Sequence, residues 1–249
     1  MIKAAKIGLL ALAAMFAAQV ASGASVATNS MLRLTDSYGS NSGGEFLATV
    51  FSGSGAGDTF LTFCLEHNET FSYGQDLYVK AVNTGSVNGG VSTASNGFVG
   101  ASSPTSSFDP ISFQTAYLFT QFSNQTLSNY QFLTDTTAHR AERIADGTSL
   151  QRAFWYLEGE TTPASDFGYS TDLQAQTWVA EATAAGWTSL GNVQVLNLYK
   201  DAQFTQFAQD QLYITPIPEP EIYAMMAAGL GLMGWAARRR KQIGNSVHG

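Results

Sequence analysis

The sequence predicts an α+β fold, a β-sheet or barrel that carries a helical insertion, from three observations. Period-two alternation of apolar and polar residues fills residues 31–82 and returns at 193–199 and 210–215. Between these blocks the period becomes helical, most clearly where Leu150, Ala153, Phe154 and Leu157 fall at i, i+3, i+4 and i+7. Residues 85–108, almost entirely Gly, Ser, Thr, Asn and Ala, have no apolar period and separate the first strand block from the helices. Strands, then helices, then strands make a helical portion inserted into or packed on a sheet.

Taken in order, residues 1–24 read as a secretory signal peptide. Lys3 and Lys6 form its basic start, residues 7–18 its apolar segment, and Ser22-Gly23-Ala24 a small-residue cleavage site. Cleavage is placed after Ala24, with Ala27 as the alternative, so the exported domain runs over residues 25–216. In the first strand block Phe46, Ala48 and Val50 alternate with Leu47, Thr49 and Phe51, bracketed by Gly43-Gly44 and by the glycine-rich stretch 53–57. Residues 60–65 and 76–82 supply further strands. The acidic stretch 36–45 has neither the length nor the ligand periodicity of a calcium loop and reads as a solvated turn. Asp109-Pro110 reads as a cap with proline at the first helical position, and Phe113, Ala116, Tyr117 and Thr120 as the face of the helix that follows. A second helix is expected near 138–145, a third from Thr148 or Ser149, and a fourth over 172–185, ending at Gly186.

Of 249 residues only 12% are charged, and the formal net charge is −7. Half of the twelve basic residues lie at the extremities: Lys3, Lys6, Arg238, Arg239, Arg240 and Lys241. Residues 25–218 hold six basic and 17 acidic side chains, a net of −11. No basic stripe exists to neutralise phosphates, which excludes nucleic acid as a partner. The one cysteine, Cys64, has no internal disulfide partner, so its thiol is buried, paired with another chain or chemically committed.

The C-terminal stretch has three parts in a fixed order. Pro218-Glu219-Pro220 precedes an uncharged run over residues 222–237, and Arg238, Arg239, Arg240 and Lys241 close it. As a helix the run reaches roughly 24 Å, somewhat short of the ~30 Å hydrocarbon core, so it spans as a single transmembrane helix with snorkelling Arg stems or local thinning of the bilayer. Tyr223 and Trp235 sit near its ends, where amphipathic rings favour the interface. The basic cluster stays cytoplasmic, with residues 242–249 as a cytoplasmic tail, and everything before Pro218 lies outside. This tripartite tail, residues 217–241, resembles the PEP-CTERM sorting signal of bacterial surface proteins. That resemblance implies export through the secretion translocon, a transient membrane anchor, an exosortase-type enzyme as processing partner, and a final place at the cell surface or in the extracellular matrix of a biofilm.

Two further stretches carry chemistry. The first is residues 62–74, TFCLEHNETFSYG, with Cys64 at a predicted strand end; the second is residues 150–160, LQRAFWYLEGE, with Gln151 in the first turn of a predicted helix. Together they resemble the thioester domains of bacterial adhesins, in which a strand-end Cys is joined to a Gln in a Gln-x-Ala-aliphatic-Trp helix start. Gln151, Ala153 and Trp155 fall in place; Phe154 stands where an aliphatic residue is usual, and Leu150 where Thr is usual. The resemblance implies attack of the Cys64 thiolate on the Gln151 carboxamide, loss of ammonia, and an internal thioester that an amine on a target surface or a hydroxyl captures. Such chemistry needs near-attack geometry and a polarised carbonyl, for which the helix N-terminal amides near residues 149–152 are the expected source. The same helix start is expected to lower the thiol pKa.

No Ser-His-Asp, phosphate-loop or dinucleotide pattern occurs, and His67, His139 and His248 have no metal-ligand spacing, so no catalytic residue, metal or cofactor is expected. Glu66, Glu69, Glu158 and Glu160 read as solvent-facing carboxylates. Three functions stay open: a covalent surface adhesin reacting with an amine-bearing target, a non-reactive structural or carbohydrate-binding component with Cys64 buried and exopolysaccharide as partner, and a secreted hydrolase. A chain that reacts once and does not turn over is not an enzyme.

Overall fold

The computed structural model describes residues 24–40, 43–87, 108–161 and 165–216, together with Leu230. Among the described residues the strands are β1 (Met31–Ser40), β2 (Gly43–Ser52), β3 (Thr59–Thr62), β4 (Leu77–Asn83), β5 (Gly85–Ser86), β6 (Asp109–Pro110), β7 (Val193–Tyr199) and β8 (Phe207–Ile214). Three helices, α1 (Phe113–Ser123), α2 (Thr137–Leu157) and α3 (Leu173–Ala185), lie between β4 and β7, so the expected helical insertion is present. Six strands form one sheet in the order β3-β2-β1-β4-β7-β8, antiparallel at each neighbouring pair.

The sheet is curled without being a barrel. β3 is four residues long, and just past it Leu212 N–H donates to Phe63 O at 3.0 Å and Leu65 N–H to Asp210 O at 3.1 Å. Cys64 faces Gln211 there in an isolated bridge. The two edges meet at one point, where the chain turns away before a ladder can form.

Apolar residues divide between two cores. Leu32, Leu34, Ala48, Val50, Leu77, Val79, Leu196 and Leu198 pack in one, joined by Ala24 and Val26 from the segment preceding β1. Tyr213 ties that segment down, its hydroxyl donating to Ala24 O and accepting from Val26 N–H. The other core holds Phe63, Val193, Val195 and Leu212 against the helices, with Leu150, Ala153, Phe154 and Leu157 of α2 buried as their spacing predicts.

Four local expectations are corrected. Asp109-Pro110 does not open α1; it pairs with β5, and Ser112 is the cap, its Oγ accepting from Thr115 N–H at 3.0 Å. The buried stripe of α1 is Thr115, Leu118, Phe119 and Phe122, and of the expected face only Ala116 is buried. The second and third expected helices are one, α2, because Gly147 continues it. Gly147 costs roughly 1 kcal/mol of helix propensity but admits the hairpin, since a Cβ there would stand 3.0 Å from Tyr38 O. The stretch 36–45 is no solvated turn. Its described residues belong to the paired strands β1 and β2, and Glu45 is fully buried, gripped by Arg143 of α2 through Nε to Oε2 (3.0 Å) and Nη2 to Oε1 (2.8 Å). Tyr130 Oη and Ser37 Oγ also donate to that carboxylate. The paired geometry offsets the desolvation of both charges and fixes the hairpin on the helix.

Candidate functional site

Gln151 and Cys64, 87 positions apart in sequence, are brought into direct contact. Gln151 is fully buried, and its amide pairs with the Cys64 main chain in both directions: Cys64 N–H donates to Oε1 at 3.1 Å and Nε2 donates to Cys64 O at 2.8 Å. Gly44 N–H is a second donor to Oε1, at 3.4 Å. The side chain thus extends the sheet edge like one more peptide group. The approach requires glycine at position 43, where φ is +95° and a Cβ would fall 2.5 Å from Gln151 Cγ. Two main-chain donors on one carbonyl oxygen form the arrangement that stabilises an oxyanion.

The source of that polarisation differs from the expected one. α2 begins at Thr137, so Gln151 lies well inside the helix, far from its unpaired amides. The donors come instead from Cys64 and from the hairpin. The thiol also departs from expectation. Cys64 is 1% exposed, and burial pushes its pKa well up, opposed in part by the Gln211 hydrogen bond and reinforced by Glu66. Its Sγ–H donates to Gln209 Oε1 at 2.8 Å, and Gln211 Nε2 donates to Sγ at 3.4 Å. Both glutamines come from β8, two positions apart on the same side of the strand.

Buried acids lie beside this pair, not in solvent as their residue type suggests. Glu66 is 1% exposed, its Oε2 accepting from Asp210 N–H at 2.9 Å. Burial, then the charge of Asp210, push its carboxyl well above the usual range. Asp210 is itself raised to about 7 by burial, although Val87 N–H, Leu198 N–H and Asn197 Nδ2 donate to it. Glu160 is buried and accepts from His67 N–H at 3.1 Å. The half-buried Glu158 accepts from Ser112 N–H and Oγ, and burial raises it to about 7. His139 pairs with Asp135 at the start of α2, remote in sequence from these groups.

A pocket of about 300 Å³ opens over Cys64, lined by Phe46, His67, Phe71, Tyr73 and Trp155 and also by Glu69 and Gln209. Phe46 and Phe71 meet edge to face at 5.3 Å, and His67 lies against Trp155 at 5.0 Å while stacking on Phe167 at 3.6 Å. Of the two motif residues beside Gln151, Ala153 packs in the helical core and Trp155 forms pocket wall. Among the described residues no group of His, Cys, Asp and Glu is arranged to hold a metal ion.

Gln209, Gln211, Gly44 and Asp210 complete the site and were not singled out from sequence. One signal was available. Gln209-Asp210-Gln211 puts three polar residues in succession in a strand, so at least one must face inward and needs partners there.

The predicted signal peptide, up to Gly23, lies outside the described residues, as do Pro218, Glu219, Pro220, Arg238, Arg239, Arg240 and Lys241. Leu230 of the expected span is helical, and among the described residues no helix is long and apolar enough to cross a membrane. Residues 216–241 match the PEP-CTERM protein-sorting motif. The motif supports sorting by an exosortase and implies export, membrane-anchored sorting and then the cell surface. No curated protein and no solved structure matches the chain, and the likeness to adhesin thioester domains gains no support from these comparisons.

Proposed function

We propose that this surface protein captures its target covalently through an internal thioester between Cys64 Sγ and Gln151 Cδ. The observation that carries the reading is the Gln151 carbonyl, held by two main-chain N–H donors within the same buried contact that contains Cys64. In the forming step the Sγ–Cδ bond is made and the Cδ–Nε2 bond broken. The thiol proton leaves with Nε2 as ammonia, so no outside reagent is needed. Cys64 and Gly44 N–H stabilise the oxyanion, and Gln209 and Gln211 hold the sulfur in place. The thioester is then an acyl donor to an amine or hydroxyl of a surface target or exopolysaccharide. It is spent in one reaction, so the protein does not turn over and is not an enzyme.

The test is the intact mass of the full-length chain, exported and solubilised in detergent without reductant, beside a Cys64→Ala variant. The expected result is a mass lower by one ammonia, absent in the variant and converted by methylamine to the amide with a free thiol. A full mass with a thiol that titrates after unfolding would overturn the thioester. The second reading is a non-reactive component of the extracellular matrix. The burial and raised pKa of Cys64 favour it, because a protonated, enclosed thiol is inert.

A further inference from the structure

The pocket over Cys64 has a composition that narrows its ligand. Its walls are aromatic, and Tyr73 is 49% exposed, a large ring face left open to solvent. Trp155 is buried in the same lining, and its Nε1–H has no acceptor. An orphaned buried donor costs about 1–3 kcal/mol, a cost that an oxygen brought within its reach relieves. Glu69 brings carboxylate oxygens that accept hydrogen bonds, and no Lys or Arg is among the described lining residues. Anionic ligands meet no counter-charge there. An ammonium supplies no lone pair to Trp155. A neutral hydroxyl both accepts from an indole N–H and donates to a carboxylate, and the apolar face of a sugar ring lies flat on aromatic side chains.

We propose that this pocket binds an uncharged sugar ring of a polysaccharide and presents one of its hydroxyls to the thioester at Cys64, the member of the pair that lines the pocket. The covalent part rests on the thioester reading; the binding part does not. In the capture step the hydroxyl oxygen forms a bond to Gln151 Cδ and the Cδ–Sγ bond breaks. The hydroxyl proton ends on Sγ, leaving an ester to the glycan and a free Cys64 thiol. His67, in the lining and kept neutral at pH 7 by desolvation, is the base available to carry that proton.

Calorimetric titration of the full-length Cys64→Ala chain in detergent, with β-1,3-glucan, β-1,4-glucan and chitin hexasaccharides as probes, tests the binding. At least one is expected to bind with sub-millimolar Kd. Tyr73→Ala, a change at an exposed ring, is expected to weaken it about tenfold. Trp155→Phe, which keeps an aromatic wall and removes the N–H, should weaken it too, with circular dichroism confirming the fold of both variants. Failure of all three probes to bind, or unchanged affinity in Tyr73→Ala, overturns the sugar site. With the unsubstituted chain, the bound hexasaccharide should appear as an adduct on the ammonia-depleted mass. Binding without an adduct on a chain that has lost ammonia overturns the hydroxyl delivery. Sugar binding by a chain that keeps its full mass sinks the thioester and leaves the sugar site standing, whereas ammonia loss without sugar binding does the reverse.

Discussion

At the scale of single residues, the contact between Gln151 and Cys64 separates side-chain from main-chain roles. Gln151 is held by the peptide groups of Cys64 and Gly44, not by the thiol. In the Cys64→Ala background, where no thioester forms, Gln151→Glu removes the donor to Cys64 O and sets an acceptor against it. We expect a loss of about 3 kcal/mol, read as a lowered urea midpoint. A cost near zero would mean that the amide pairing is not structural. The Cys64 and Gln151 positions were legible because their residue types are tied to short motifs. Their environment was not. The helix start expected at Thr148 or Ser149 places Gln151 near helix-terminal amides, whereas α2 runs on from Thr137, and burial of Cys64 raises the pKa that such amides would lower. Glutamines on a distant strand leave no local trace beyond the polar run Gln209-Asp210-Gln211.

Elements show how the site is kept in register. α2 and the β1–β2 hairpin are joined by Glu45 and Arg143 and by the close approach at Gly147. Gly147→Ala improves helix propensity by roughly 1 kcal/mol. The added methyl, 3.0 Å from Tyr38 O, must push the hairpin away, so a net fall in Tm is expected despite the propensity gain. A higher Tm would show that the hairpin yields freely. β8 carries a different liability in Asp210, raised to about 7, with Glu66 also raised. For these acids the folded state binds more protons than the unfolded chain once pH exceeds the usual carboxylate range near 4. Stability from this source is therefore full below about pH 4 and falls as pH rises through 7, where Asp210 ionises. The urea midpoint should be higher at pH 5 than at pH 8, and Asp210→Asn should shrink the difference; an equal midpoint at both values would refute the assignment. The strands of the six-stranded sheet and α3, with its Asp172 cap and Gly186 stop, were readable because alternation and capping are local, whereas β5 and β6 fall where a loop and a helix cap are expected. The start of α1 was misread because Ser112 competes with Asp109-Pro110 as a cap, and only the pairing of Pro110 with Gly85 decides between them.

For the whole molecule, the sorting motif at residues 216–241 bears on destination, apart from the folded domain that holds the Cys64–Gln151 contact. Replacing Pro218-Glu219-Pro220 by alanines should leave the chain at full length in the membrane fraction of an exosortase-bearing host, measured by intact mass. Processing that continued unchanged would show that the motif is not the recognition element. The strand–helix–strand order was legible because the period changes twice along the chain. Whether the sheet closed was not, since that depends on the few residues past β3 that meet β8. β8 ends at Ile214, four positions before Pro218, and is paired with β7 from Val193↔Ile214 to Tyr199↔Phe207. A pull applied through the C-terminal end of the described domain therefore enters the fold at β8. When such a pull runs along the strand, the rungs of the β7–β8 ladder share it in shear instead of opening one at a time, and β8 is the first strand to bear it.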